Sequence, residues 1–439
     1  MISHPLVLQI ASLSPARRVG YVRKVSPGRI ETSGPLASVG DICEIASADA
    51  GGAAVLAEVA AVHEEHLVLV SLDPTAPIAP EAEVVVRPTR NLGPVGDAFA
   101  GRAVDAMGQP IDGGGAILSE AMAPLEGRVL APLERLDPNR VLETGVRALD
   151  GLLTLGHGQR IGILAAAGVG KTTLMRQLAT QATADRCILC LVGERGREVE
   201  GIWRDLASRA DRNRFTCVAA TSDLSAPLRV RSVHQALCLA EHWRAKGEHV
   251  LLIVDSVTRY AMALREIGLA AGAPPTLRAY TPNVFAALPR LVERCGGASD
   301  GGSITAVITV LSETDDVDDP IVEIMKSLLD GHIVLSRQLA EQGHFPAIDV
   351  LRSVSRQSGQ LMNASHAPVA KRTLGLLAAY DDARLMIEGG IYKSGTNAHT
   401  DEAIRAREPI AAFLKQRHDE RTPPAETFKR LVSAVQNHA

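Results

Sequence analysis

Nine consecutive residues, Ala165-Ala-Ala-Gly-Val-Gly-Lys-Thr-Thr173, carry chemistry that their types and spacing suffice to read. The segment follows an apolar run and opens a stretch of helical spacing, the strand–loop–helix context of a phosphate-binding loop. Gly168 and Gly170 let backbone N–H groups turn inward around an anion, with Ala167 and Val169 between and beside them. The helix N-terminus adds a positive dipole end. Lys171 supplies a point charge for β- and γ-phosphates, and the Thr172 hydroxyl a ligand for Mg²⁺, with Thr173 next to it in the first turn. The common pattern starts with Gly, a position held here by Ala165, which needs little room.

Two carboxylates complete the chemistry. Val250-Leu-Leu-Ile-Val-Asp255 reads as a buried strand ending in an acid, placing Asp255 beside the loop as a Mg²⁺ ligand through water. Gly193-Glu-Arg-Gly-Arg-Glu-Val199 follows the apolar run Cys187–Val192. A carboxylate on the loop after a neighbouring strand reaches the γ-phosphate side and orients water for in-line attack, which selects Glu194. Glu198 reads instead as a first-turn acid favoured by the helix dipole.

These groups need a rigid frame, and the chain is patterned to build one. Residues 1–90 alternate short β segments with turns such as Ser26-Pro-Gly28, which predicts a small closed barrel. From about residue 140, fully apolar runs (Arg160–Leu164, Cys187–Val192, Phe215–Ala220, Val250–Val254, Ile304–Leu311) alternate with helical stretches. That is the texture of a parallel sheet covered on both faces. After about residue 360 the β runs stop and charged, helical spacing takes over. The expected class is α/β: an N-terminal β-barrel over 1–90, a doubly wound phosphate-loop domain over 91–360 and a C-terminal helical domain over 361–439.

Composition narrows the function. The 439 residues are 46% hydrophobic and carry 46 basic against 50 acidic side chains, a formal charge of −4. A chain so apolar and so nearly neutral folds, and it lacks the cationic excess that drives nucleic-acid binding. The predicted barrel is itself acidic, with 7 basic and 10 acidic residues. No run approaches the ~20 apolar residues of a membrane span, and the first residues do not resemble a secretory signal, so a cytoplasmic location is expected. Six cysteines do not make a disulfide framework, and Cys187-x-x-Cys190 reads as two apolar thiols on a buried strand. His63-Glu-Glu-His66 lacks metalloprotease spacing, and the acidic run Glu313–Asp319 reads as a solvated loop before a helix.

Four segments carry a family resemblance: the phosphate loop, Gly193–Val199, Asp330-Gly-His-Ile-Val-Leu-Ser-Arg337 and Pro346–Arg356. Together they resemble the rotary-ATPase superfamily and, within it, the ATPases of bacterial type III secretion, in the order barrel, RecA-like ATPase domain, helical cap. The resemblance implies an ATP-hydrolysing homohexamer with Mg²⁺ and nucleotide between subunits. It makes Glu194 the water-polarising acid and Arg356 an arginine finger entering the neighbouring site. Arg259 becomes a second phosphate-facing arginine, and Arg195 supports Glu194 or the interface. It also makes Phe345 an adenine-packing aromatic, with Tyr392 as a second wall. The implied partners are stator and stalk proteins and chaperone–substrate complexes, with peripheral contact at the inner membrane. Gly343–Ser355 looks closer to injectisome than to flagellar members. Flagellar export, a terminator-type RNA translocase and a non-hydrolysing ring scaffold are the alternatives. Thr281, Asn283 and Gln357 depart from the family pattern.

Overall fold

The computed structural model describes residues 18–47, 52–87, 91–299, 301–311 and 319–436. The chain separates into two compact units. One contains the residues up to Leu92 with segments 223–230 and 262–284, and the other contains the remainder.

In the first unit six antiparallel strands close a barrel. They are β1 (Val19–Ser26), β2 (Arg29–Thr32), β3 (Ile42–Ile45), β4 (Val55–Val62), β5 (Leu67–Ser71) and β6 (Glu83–Val86), in the order β1-β2-β5-β4-β3-β6. Alternation explains the closure: along β4 the side chains at Val55, Ala57 and Val59 are buried while their neighbours are partly exposed. The inward set, including Val22, Ile30, Ile45, Leu69 and Val84, forms the barrel's own core. His63 and His66 stack at 4.5 Å on the β4–β5 hairpin. In the 262–284 segment, the Thr281 and Asn283 departures bring two buried oxygens, Thr281 Oγ1 and Asn283 Oδ1, without hydrogen-bond partners among the described residues.

The second unit is built on a mostly parallel sheet. Its main strands are β7 (Ala103–Val104), β8 (Arg160–Ala165), β9 (Arg186–Val192), β10 (Phe215–Ala220), β11 (His249–Asp255), β12 (Ser303–Leu311), β13 (Gly331–Leu335) and β14 (Ile348–Ser355). They run in the order β14-β13-β8-β12-β11-β9-β10-β7, and the short strands Arg135–Leu136 and Gly296–Ala298 pair off this path. β9 to β12 are buried along almost their whole length, as both covered faces require. Cys187 and Cys190 lie inside β9, where burial holds both thiols far above their ordinary range. β14 is antiparallel to β13, an edge that the apolar-run pattern does not reveal.

The helices include α1 (Arg147–Leu152), α2 (Lys171–Gln181), α3 (Gly196–Ala207), α4 (Ala226–Ala245), α5 (Val257–Ala270), α6 (Pro282–Glu293), α7 (Pro320–Leu328), α8 (His366–Glu388), α9 (Ala398–Leu414) and α10 (Pro424–Gln436). Local chemistry starts several of them. Asp319 accepts from Ile321 N at 2.8 Å with Pro320 in the first turn of α7, and Asn397 caps α9 through His399 N at 2.9 Å. Glu313 lies outside the described residues.

The C-terminal helices share one core with the sheet. Leu376, Ile410, Phe413 and Leu431 belong to the same buried cluster as Leu149, Ile163 and Leu178. A polar staple locks the arrangement. Arg147, 4% exposed at the start of α1, donates to the Phe413 carbonyl at 2.8 Å and to Thr422 Oγ1 at 3.3 Å. It also holds the Lys415 carbonyl and the Glu420 carboxylate.

Arg147→Ala leaves the Phe413 and Lys415 carbonyls without their side-chain donor and Glu420 with Arg430 alone among the described residues. We expect a loss of about 3 kcal/mol in denaturant unfolding. Amide exchange should accelerate over 398–436 well before it does in the barrel. Uniform acceleration across the chain would refute the staple role.

Candidate functional site

The C-terminal ends of parallel strands are where an α/β sheet places ligands, because the strands themselves are buried and only their loops can host charge. β8 ends at Ala165 and α2 begins at Lys171, so residues 166–170 must reverse direction within one turn. Gly168 and Gly170 do this with φ of 80° and 93°. A Cβ at Gly168 would meet nothing within 4 Å, so backbone conformation, not space, demands glycine there. Val169 is buried in the core and anchors the loop from beneath, while Ala167 is exposed. Thr172 and Thr173 follow Lys171 in the first turn of α2, Thr173 exposed and Thr172 half-buried.

Three charges converge above this loop. The Lys171 ammonium bonds the Asp255 carboxylate and lies 3.8 Å from Glu194 Oε1. Asp255 ends β11, is 2% exposed, and accepts from Thr309 Oγ1 of β12 at 2.6 Å. Glu194 sits in the β9–α3 loop, where its backbone carbonyl accepts from Ser222 N at 3.0 Å. The preceding Gly193 has φ 68°, and a Cβ there would come within 3.2 Å of Arg259 Cβ. Arg259, in the first turn of α5, therefore packs against the turn that presents Glu194. Arg195 is exposed and precedes α3. Burial, the Asp255 charge and the carboxyl of Glu198 outweigh Lys171 and push Glu194 up to about 7.

A cleft of about 530 Å³ opens beside the loop. Gly170 just before α2 and one face of α2, with Thr173, Leu174 and Gln177 at the spacing that puts side chains on one side of a helix, form the first wall. Phe345 and Pro346 form a second wall, and the Phe345 ring lies 3.6 Å from where a Gly170 Cβ would be. The stretch Lys415–His418 supplies the third, joined to the second by the Gln416 N–H, which donates to the Phe345 carbonyl at 2.8 Å.

Arg356 lies elsewhere. It follows β14, the edge strand antiparallel to β13, so it emerges at the sheet end opposite to the phosphate loop. Its N–H donates to the Asp330 carbonyl at 3.0 Å, and Asp330 in turn pairs with Arg160 at the start of β8. Five strand residues, about 16 Å, separate that point from Ala165. The Arg356 guanidinium is exposed and touches only the Lys326 carbonyl, at 3.2 Å, among the described residues.

Residues 145–355 match the ATP synthase alpha/beta family nucleotide-binding domain, and residues 362–433 match the T3SS EscN ATPase C-terminal domain. The flagellum-specific ATP synthase of Bacillus subtilis is 42% identical, covering 96% of each chain. The type 3 secretion system ATPase of Xanthomonas euvesicatoria is 40% identical over 99% of this chain and 98% of its own. This chain belongs to the type III secretion and flagellum-specific ATPase family. It is an ATP-hydrolysing enzyme. The assembled ATPase EscN of enteropathogenic E. coli matches at 37% identity with a TM-score of 0.90, covering 95% of this chain and all of the EscN chain. The same ATPase in complex with its central stalk EscO matches at 36% identity with a TM-score of 0.86 and the same coverage.

The structure of this ATPase thus gathers Lys171, Asp255, Glu194 and Arg259 at one edge, sets Phe345 across the loop from Gly170, and leaves two residues apart. Arg356 is one. Tyr392 is the other: it is not among the residues lining the cleft, and its hydroxyl instead donates to the Asn397 carbonyl at 3.0 Å and meets Asp401 at 3.1 Å, bracing the α8–α9 turn. Thr309 and the Lys415–His418 wall escaped the sequence reading. Thr309 is one more β-branched residue in an apolar strand, and the wall is a coil with no motif.

The raised Glu194 titration has a calculable sign. In the nucleotide-free folded chain Glu194 keeps its proton to about pH 7, whereas the unfolded chain releases it near its ordinary value of 4.5. Its favourable contribution to stability is therefore complete at low pH and lost as pH rises through 7. Glu194→Gln, neutral at every pH, is expected to match the parent Tm at pH 5 and exceed it by a few degrees at pH 8. A gain of equal size at both pH values would contradict the assigned titration.

Proposed function

We propose that this chain is the ATPase of a bacterial type III protein secretion apparatus, working as a homohexameric ring whose nucleotide sites are completed by neighbouring subunits. The observation that carries the shared site is the position of Arg356, exposed and at the end of the sheet opposite the chain's own phosphate loop, with the length of β8, about 16 Å, between those ends. An arginine so placed serves a site only if that site belongs to another subunit.

In this reading the backbone of Ala167–Gly170 and the Lys171 ammonium hold the β- and γ-phosphates, with Thr173 alongside. Phe345 lies against adenine. The Thr172 hydroxyl at the start of α2 and Asp255 at the end of β11, both hard oxygen donors, fit Mg²⁺, which neutralises phosphate charge when bound. Glu194, poised near neutrality, accepts a hydrogen bond from water and aims it in line with the departing ADP. Arg259 braces the Glu194 turn from below and faces the phosphates. The neighbour's Arg356 stabilises charge on the transferring phosphoryl group, an effect typically worth about 10³–10⁵ in rate.

The barrel of 1–90, the nucleotide domain of 91–360 and the helical region of 361–439 then divide ring contact, hydrolysis and partner engagement. EscN with its central stalk EscO supports a stalk protein in the ring's centre. Stator proteins, chaperone–substrate complexes, peripheral contact with the inner-membrane export machinery from the cytoplasm, and no nucleic acid complete the proposal. No described helix is long and apolar enough to cross a membrane. The 42% identity to a flagellum-specific relative favours one second reading, flagellar export, with the same chemistry and different partners.

Subunit mixing tests the shared site. Arg356→Ala and Glu194→Gln should each lower ATP turnover by at least about 10³-fold. Mixed before assembly, they should recover a measurable fraction of wild-type rate, because some interfaces pair an intact Glu194 with an intact Arg356. Turnover per subunit should also climb with protein concentration. No recovery on mixing, together with a concentration-independent rate insensitive to Arg356→Ala, would dismiss the proposal.

A further inference from the structure

Two glutamines line the cleft beside Phe345, and they differ in one respect. The Gln416 amide is spent: its nitrogen donates to the Gly145 carbonyl at 2.7 Å and the Glu420 carbonyl at 2.8 Å, and its oxygen accepts from Arg147 N at 2.7 Å. Gln177, 3% exposed, has an amide nitrogen with no hydrogen-bond partner among the described residues. Burying an amide donor unpaired is costly, and such groups in native proteins mark a role that the free protein does not display. Two charged groups of the cleft are committed as well: Arg417 pairs with Asp419 at 2.8 Å, and Glu420 is held by Arg147 and Arg430. Gln177 also stands at the right depth. It lies six residues beyond Lys171 on α2, about 9 Å along the axis, on the face that carries Gly170, Thr173 and Leu174 into the cleft. A nucleotide whose phosphates engage Lys171 and whose base meets Phe345 brings the base edge to that level.

We propose that Gln177 is the base-reading residue of this ATPase and sets its preference for adenine over guanine. The proposal rests on the reading of the cleft as the base site. A carboxamide reads adenine with both of its atoms. With Nε2 donating to N7, Oε1 accepts from the 6-amino group. Guanine presents a carbonyl at that position, so Oε1 would face another acceptor. Leu174 and Phe345 give area without distinguishing purines, whereas the amide discriminates between them.

The test uses the full chain and three Mg²⁺-nucleotides: ATP, GTP and purine riboside triphosphate, which lacks the 6-amino group. The wild type should prefer ATP to both by about 10-fold in kcat/KM, the scale of one bidentate base contact. Gln177→Met, of similar volume, should lose about 10-fold on ATP through KM and stay within about 2-fold on the other two. Purine riboside triphosphate turned over by the wild type as well as ATP overturns the proposal without any variant. So does a Gln177→Met enzyme, folded by circular dichroism, that keeps the wild-type preference or loses all three substrates equally. Phe345→Ala separates the two levels of the argument. An unchanged KM for ATP there removes the cleft as base site, and this proposal with it. A raised KM with ATP preference intact in Gln177→Met removes Gln177 alone.

Discussion

An ammonium held between two carboxylates at the edge of a buried sheet is the constraint around which the second unit is organised. Lys171 opens α2, Asp255 ends β11 and Glu194 lies in the β9–α3 loop, and each is more than four-fifths shielded from water. Two carboxylates at that depth repel each other and resist ionisation unless a cation lies between them. The cation therefore has to be held in place, which the glycine loop and the start of α2 do through backbone conformation. The carboxylates have to be held as well: Thr309 fixes Asp255, and the Gly193 turn against Arg259 fixes Glu194. Burial first, and then the Asp255 charge, outweigh the lysine, and Glu194 titrates near neutrality. A base for activating water works best in that range, the role proposed above for Glu194.

The C-terminal helices are tied into this arrangement. Their apolar faces complete the core under the sheet, and Arg147 and Gln416 stitch the coil after α9 to α1 and to the Phe345 loop. One wall of the cleft is thus a helix attached to the phosphate loop, and the other two are connected through Gln416. Motion of the helical region relative to the sheet cannot leave the cleft unchanged.

Much of this was legible in the residues. The phosphate loop, the β11 carboxylate, the Glu194 loop and the alternation of β4 are encoded by contiguous residues. Glycine at positive φ, an apolar run buried on both faces and a capped helix are local facts with local causes. The short strand Ala103–Val104 and the antiparallel pair β13–β14 were not legible, because two-residue strands carry no period and strand direction depends on what a strand pairs with. The aromatic at Tyr392 illustrates the limit for sites. A tyrosine at a Gly-rich turn is as suited to bracing that turn as to stacking on a base, and only its packing distinguishes the two.

By itself, then, the sequence determined which chemistry this protein carries: a backbone cradle for phosphate, a lysine, two acids and the arginines to support them, each written within a few residues of a recognisable element. The tertiary structure decided who reaches whom. Strand order brought β8, β9 and β11 close enough for their loops to share one cation, while the reversal of β14 sent Arg356 to the far end of the sheet and out of reach of its own chain's loop. It also closed the cleft with a motifless coil and left the Gln177 amide nitrogen buried beside it without a hydrogen-bond partner among the described residues. Those outcomes depend on pairings between residues tens to hundreds of positions apart, and such pairings are selected by the packing of the whole core and not by any segment alone.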